Sequence, residues 1–116
     1  MKILIVDDEE DLRDSLVDFF QDEGFEVSTA ANGREALERL SAGDLPCVMI
    51  LDLLMPVLDG NQVYSEMQRD PRFSKVPVIV STSDPSRAPP GLLIMKKPVN
   101  LPRLLDTVRQ HCPRSG

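Results

Sequence analysis

The chain has 116 residues, 41% apolar and 28% charged, with a net charge of −6; that is the mix of one globular domain, 1–116, long enough to bury its own core. The charge divides unevenly, with 4 Lys/Arg against 15 Asp/Glu in residues 1–60 and 9 against 4 in residues 61–116, and an acidic chain whose cations lie scattered among prolines is not expected to bind nucleic acid directly. No apolar run reaches the roughly 18 residues of a membrane span and no basic start leads into an apolar stretch, so neither a membrane helix nor a signal peptide is expected.

Cys47 and Cys112 are too few for a disulfide scaffold and lack metal-site spacing, which reads as a reducing, cytoplasmic setting. Cys47 is expected as a buried small hydrophobe, and Cys112 as a surface thiol near a frayed terminus, with a reactive thiol as the alternative.

Lys2–Val6 is a short apolar run that fits a fully buried strand. The acidic run Asp7-Asp8-Glu9-Glu10-Asp11 opens a helix through Leu12, Leu16, Phe19 and Phe20, which Gly24 stops. Phe25–Ala30 alternates and predicts a second strand. Asn32-Gly33 starts a short helix through Ala36, Leu37 and Leu40 that ends near Ala42-Gly43. Cys47–Leu51 is a buried strand ending on Asp52. Asp59-Gly60 closes a loop before a helix carrying Val63 and Met67 to about Arg69.

Val76–Val80 predicts another buried strand, with Pro77 at its first position, where proline is tolerated. Pro85, Pro89 and Pro90 argue against a long helix between Ser81 and Gly91. Leu92–Met95 predicts a short strand ending at Lys96-Lys97-Pro98. Asn100 starts a last helix through Leu101, Leu104, Leu105 and Val108. Apolar strands alternating with helices mean a parallel, doubly wound sheet covered on both faces.

Ligand sites in such sheets lie beyond the carboxyl ends of the strands. The first strand ends in Asp7-Asp8, the third in Asp52, the fourth in Ser81-Thr82-Ser83 and the fifth in Lys97. Three carboxylates brought together repel and require a cation. Oxygen-rich acidic sites suit Mg²⁺, which keeps several waters and takes one or two carboxylates. Lys97 and the Thr82 hydroxyl add a cation and a donor, which completes the parts of a phosphoryl-transfer site. A carboxylate can itself be the nucleophile there.

At this point the chain resembles the receiver domain of two-component response regulators, over roughly Lys2 to Cys112. The motifs are Val6-Asp7-Asp8, Asp52-Leu53-Leu54-Met55-Pro56 followed by Asp59-Gly60, Pro77-Val78-Ile79-Val80-Ser81-Thr82, and Lys97-Pro98. The resemblance implies a five-stranded, flavodoxin-like sheet in order 2-1-3-4-5. It makes Asp52 the phosphoacceptor, Asp8 a direct Mg²⁺ ligand and Asp7 a ligand acting mainly through metal-bound water. The Leu54 carbonyl completes the protein's share of the metal shell. Thr82 and Lys97 each contact a phosphoryl oxygen, and the Lys97–Pro98 bond is cis. The phosphate comes from a sensor kinase phosphohistidine, a phosphotransfer protein or a small donor such as acetyl phosphate. The implied role is a switch of partner binding, with self-catalysed phosphotransfer and autodephosphorylation the only chemistry.

The chain also departs from that family. Only 14 residues separate Thr82 from Lys97, so the fourth helix is expected to be shortened or absent. Ile94 stands where the family usually has Tyr or Phe. These departures motivate a second reading, a receiver-shaped interaction module that signals without phosphorylation. The intact acidic triad, Thr82 and Lys97 weigh against it. An aspartyl phosphohydrolase usually carries a second acid two residues after its nucleophile, where this chain has Leu54. A dinucleotide binder fails for want of a glycine-rich turn after strand one. Each site residue also has an ordinary reading: the acids as a charged helix start, Lys97 as a solvated lysine, Thr82 as a strand-closing residue. His111, the single histidine, is read as structural or exposed. Met1 directly before the first strand is expected of a natural N-terminus, and no output domain follows within the sequence, which leaves a stand-alone receiver and an excised domain of a longer protein both open.

Overall fold

In the computed structural model, which describes residues 2–43, 45–55 and 57–112, five parallel strands pair in the order β2-β1-β3-β4-β5. The strands are β1 (Lys2–Val6), β2 (Glu26–Ala30), β3 (Val48–Asp52), β4 (Val78–Thr82) and β5 (Leu93–Lys96). The helices are α1 (Glu10–Asp22), α2 (Gly33–Ser41), α3 (Gly60–Arg69) and α4 (Leu101–His111). This is the doubly wound sheet the sequence predicts. Its central strands are buried on both faces, which is why they read as continuous apolar runs rather than alternating ones.

Two cores flank the sheet. Leu4, Val6, Met49, Leu51, Val78 and Val80 face Ala36, Leu40, Val63 and Met67 of α2 and α3. Ile3, Ile5, Val48, Ile50, Ile79 and Met95 face Leu16 and Phe20 of α1 and Leu104 and Val108 of α4. Successive strand residues alternate between these cores, as the two-residue strand period requires.

Local chemistry fixes the helix ends. Asn32 Oδ1 accepts the Glu35 N–H, and Asn100 Oδ1 accepts the Arg103 N–H. Asp59 and Gln62 form a reciprocal capping box at the start of α3. Gly24, at φ 93°, supplies the left-handed turn that releases the chain from α1 into β2.

β4 begins at Val78, two residues later than the sequence pattern suggests. Pro77 has no N–H to join a ladder, and its carbonyl accepts the Met49 N–H from just outside the strand. Between β4 and β5 the only helical turn is a short 3-10 segment, Pro85–Arg87, started by Asp84. The shortened fourth helix expected from the prolines is therefore what the fold contains. The Lys97–Pro98 peptide is cis. Pro56 of the loop motif and Met1 lie outside the described residues.

The cysteines correct the sequence reading. Cys47 and Cys112 form a disulfide across 65 positions, with Cα atoms 5.5 Å apart. Cys112 is fully buried, not a surface thiol. The reason is topological: α4 runs back against the strand direction, so its end lands beside the start of β3. This pairing removes the cysteine-based argument for a reducing compartment. No helix is long and apolar enough to cross a membrane among the described residues.

Candidate functional site

Three side-chain rows reach the carboxyl edge of the sheet on the face shared with α1 and α4. Asp7 continues the row of Ile3 and Ile5 past the end of β1, Asp52 ends the row of Val48 and Ile50, and Lys97 follows Met95 past the end of β5. Strand order places β1 beside β3, with β4 between β3 and β5. Lys97 therefore crosses β4 to meet the acids. The β4 residue paired with both Asp52 and Met95 is Ser81. Its small side chain leaves a path for the lysine, and its hydroxyl oxygen is buried without a hydrogen-bond partner.

The contacts are short and specific. Lys97 Nζ donates to Asp7 Oδ2 at 2.9 Å and lies 3.6 Å from Asp52 Oδ2. Asp7 Oδ1 accepts the Glu9 N–H at 2.9 Å, and Asp52 Oδ1 accepts the Leu54 N–H at 3.3 Å. Asp7 and Asp52 are each 3% exposed, whereas Asp8 is exposed. Carboxylate oxygens of Asp7, Asp8 and Asp52 lie within 4.8 Å of one another. Thr82 is fully buried, and its Oγ1 accepts the Asp84 N–H at 3.1 Å. All six residues singled out from the sequence, Asp7, Asp8, Asp52, Leu54, Thr82 and Lys97, thus lie at one edge of the sheet.

The backbone beneath Asp52 is also constrained. A Cβ on Gly60 would stand 2.5 Å from the Asp52 carbonyl oxygen and 2.7 Å from Leu53 Cα. Glycine at this place lets the start of α3 close onto the end of β3, where the Gly60 N–H bonds the Leu53 carbonyl at 3.0 Å.

Burial pushes the Asp52 carboxyl up from 3.8 to about 6, with the Asp7 charge adding to the rise and Asp8 adding less. The Lys97 charge and the Leu54 N–H oppose it. Burial alone would lower the Lys97 ammonium. The hydrogen bond to Asp7 and the charges of Asp7 and Asp52 outweigh burial, so the group rises above its ordinary value. Three hard oxygen donors, one of them open to water and two under mutual repulsion, fit a small divalent cation that retains part of its hydration.

This geometry agrees with the comparisons to known proteins. The family model for the response regulator receiver domain matches residues 3–89. The chain belongs to the receiver domain family. The receiver is 39% identical over 84 residues to response regulator Rre1 of Synechocystis, covering 72% of this chain and 36% of that protein. The chain thus spans about a third of the length of this relative. It is 32% identical to an uncharacterized 14.6 kDa protein of Leptolyngbya boryana, covering 97% of this chain and 90% of that one. Among solved structures, it is similar to TrrA of Thermotoga maritima, determined in complex with Mg²⁺ and BeF, with TM-score 0.83 and 30% identity over 95% of this chain and 97% of that one. A receiver protein from Pseudomonas putida gives TM-score 0.86 at 26% identity, covering 94% of this chain and 95% of that one. Receivers are signalling modules of two-component systems.

The Ser81 position and the Asp84 contact to Thr82 were not singled out from the sequence. Ser81 is one hydroxyl in a run of three, and only the register across β3, β4 and β5 separates it from its neighbours.

Proposed function

We propose that this single receiver domain accepts a phosphoryl group on Asp52 and thereby switches its binding to a protein partner. The observation that carries the reading is the placement of Asp52. It is a buried carboxylate at a strand end, with a cation 3.6 Å from one oxygen and a backbone N–H 3.3 Å from the other. In the transfer, an Asp52 oxygen attacks the phosphorus of a sensor kinase phosphohistidine or a phosphotransfer protein. The phosphorus–nitrogen bond breaks, and the imidazole departs with its electron pair. Lys97 balances charge on one phosphoryl oxygen, and the Thr82 hydroxyl donates to another. The Asp84 N–H already occupies one lone pair of Thr82 Oγ1, which leaves the hydroxyl proton free to point elsewhere.

Asp7, Asp8, Asp52 and the Leu54 carbonyl are the residues that would hold Mg²⁺. When bound there, the ion would supply charge neutralisation at the phosphoryl oxygens. Later hydrolysis of the acyl phosphate resets the domain. On this reading the domain works in the cytoplasm with the kinase, without a membrane or nucleic-acid surface of its own.

The competing reading, an interaction module independent of phosphate, is favoured by the short segment between Thr82 and Lys97, which holds one 3-10 turn. Transfer from an autophosphorylated histidine kinase tests the two. The expected product is a labelled receiver whose label is released by hydroxylamine, as an acyl phosphate is. No label from kinases that phosphorylate other receivers would favour the second reading, and a hydroxylamine-stable label would contradict Asp52 as the acceptor.

A further inference from the structure

The disulfide lies at the end of the fold opposite the acidic site. Cys47 sits immediately before β3, and its N–H bonds the Lys2 carbonyl at 2.8 Å. Cys112 closes α4, and its N–H bonds the Val108 carbonyl at 2.7 Å. The Cα separation of 5.5 Å lies in the ordinary range for bonded cysteines. The two residues differ in exposure: Cys112 is fully buried in the core shared with Ile3, Val48 and Val108, whereas Cys47 is only partly buried. The covalent loop they close contains β3, β4, β5 and α4, and with them Asp52, Thr82 and Lys97. Besides its apolar stripe, α4 is held to the end of α1 by the Arg109–Glu23 ion pair at 2.9 Å, which is partly exposed and contributes little.

We propose that Cys47 and Cys112 form an exchangeable thiol–disulfide site, whose co-reactant is a dithiol or a small disulfide and whose state sets how firmly α4 is fastened to the sheet. Exchange enters at Cys47. A dithiol's thiolate attacks Cys47 Sγ and the Cys47–Cys112 bond breaks. Cys112 leaves as a thiolate and takes a proton. The second thiol of the reagent then attacks the mixed disulfide, releasing the Cys47 thiol and the oxidised reagent. Two electrons and two protons pass to the protein, and the reverse path restores the cross-link. With the bond open, the last turn of α4 keeps only its noncovalent contacts. The inference is independent of phosphorylation, since a chain that accepted no phosphate would show it equally.

The full chain is equilibrated with oxidised glutathione or with dithiothreitol, then alkylated with and without denaturant and weighed intact. The oxidised protein should take up no alkyl group, and reduction followed by denaturation should expose two thiols. Reduction should lower the melting temperature by on the order of 10 °C, because the closed loop is long. Amide exchange across 101–111 should quicken about tenfold or more. Cys47→Ser, the milder substitution because its site is partly open, should melt at one temperature with or without reductant. Cys112→Ala should do the same. Uptake of two alkyl groups by the native protein after oxidised glutathione would overturn the proposal. So would a cross-link whose opening changes neither the melting temperature nor exchange in α4.

Discussion

Lys97 donates to Asp7 at 2.9 Å from 90 positions further along the chain. This bond joins the end of β5 to the end of β1, and the same ammonium lies 3.6 Å from Asp52. One cation thus holds two buried carboxylates that would otherwise repel across the sheet edge.

Replacing Lys97 with Met removes that cation and keeps the aliphatic stem. Two buried acids are left to repel or to take up a proton. The expected loss is about 2–4 kcal/mol at neutral pH, near the cost of orphaning a buried charge. Urea unfolding at pH 7 measures it, and a loss under about 0.5 kcal/mol would show that the contact contributes little. The same variant should accept phosphate far more slowly than the parent chain.

The Asp52 carboxyl sits at about 6 in the fold against 3.8 when unperturbed, mainly through burial and then the Asp7 charge. The folded chain therefore binds this proton more tightly than the unfolded chain. Asp52 favours the fold most below about pH 4, and its contribution falls as pH rises towards 6 and is flat above. Asp52→Asn removes that slope. The difference in urea midpoint between parent and variant should shift steadily in the variant's favour from about pH 4 to about pH 6. Parallel pH profiles would contradict the raised value.

Asp8 is the exposed member of the acidic group, and its charge adds to the rise at Asp52. Asp8→Ala should make the metal-free protein more stable by relieving repulsion. Millimolar Mg²⁺ should raise the melting temperature of the parent by several degrees, because it binds the folded state. In Asp8→Ala that rise should shrink sharply. A parent chain indifferent to Mg²⁺ would leave the acidic group without its cation.

Much of this was legible in the sequence because the relevant signals are local. Apolar runs such as Lys2–Val6 and Cys47–Leu51 mark buried strands, and a parallel sheet then gathers Asp7, Asp52 and Lys97 at one edge by topology alone. Pro85, Pro89 and Pro90 announce the missing helix for an equally local reason, the lost N–H groups and fixed φ. What escaped depends on contacts between distant segments. Cys47 and Cys112 meet only because α4 folds back to the start of β3. Ser81 acquires its place between Asp52 and Lys97 only through the register of three strands.

Gly60 links the fold to the site. An added methyl would meet the backbone of Asp52 and Leu53, which has no flexible end to yield. Gly60→Ala should cost about 2–3 kcal/mol, as overpacking does, and should slow phosphorylation by moving Asp52. Thermal melts and labelling rates read the two effects together. Unchanged values for both would mean that α3 shifts freely.

The most direct test of the account is intact mass after incubation with acetyl phosphate or phosphoramidate, with and without Mg²⁺, beside Asp52→Asn. A gain of one phosphate that needs Mg²⁺ and vanishes in Asp52→Asn is the predicted result. A phosphate that persists in Asp52→Asn would contradict the assignment of Asp52 as the acceptor.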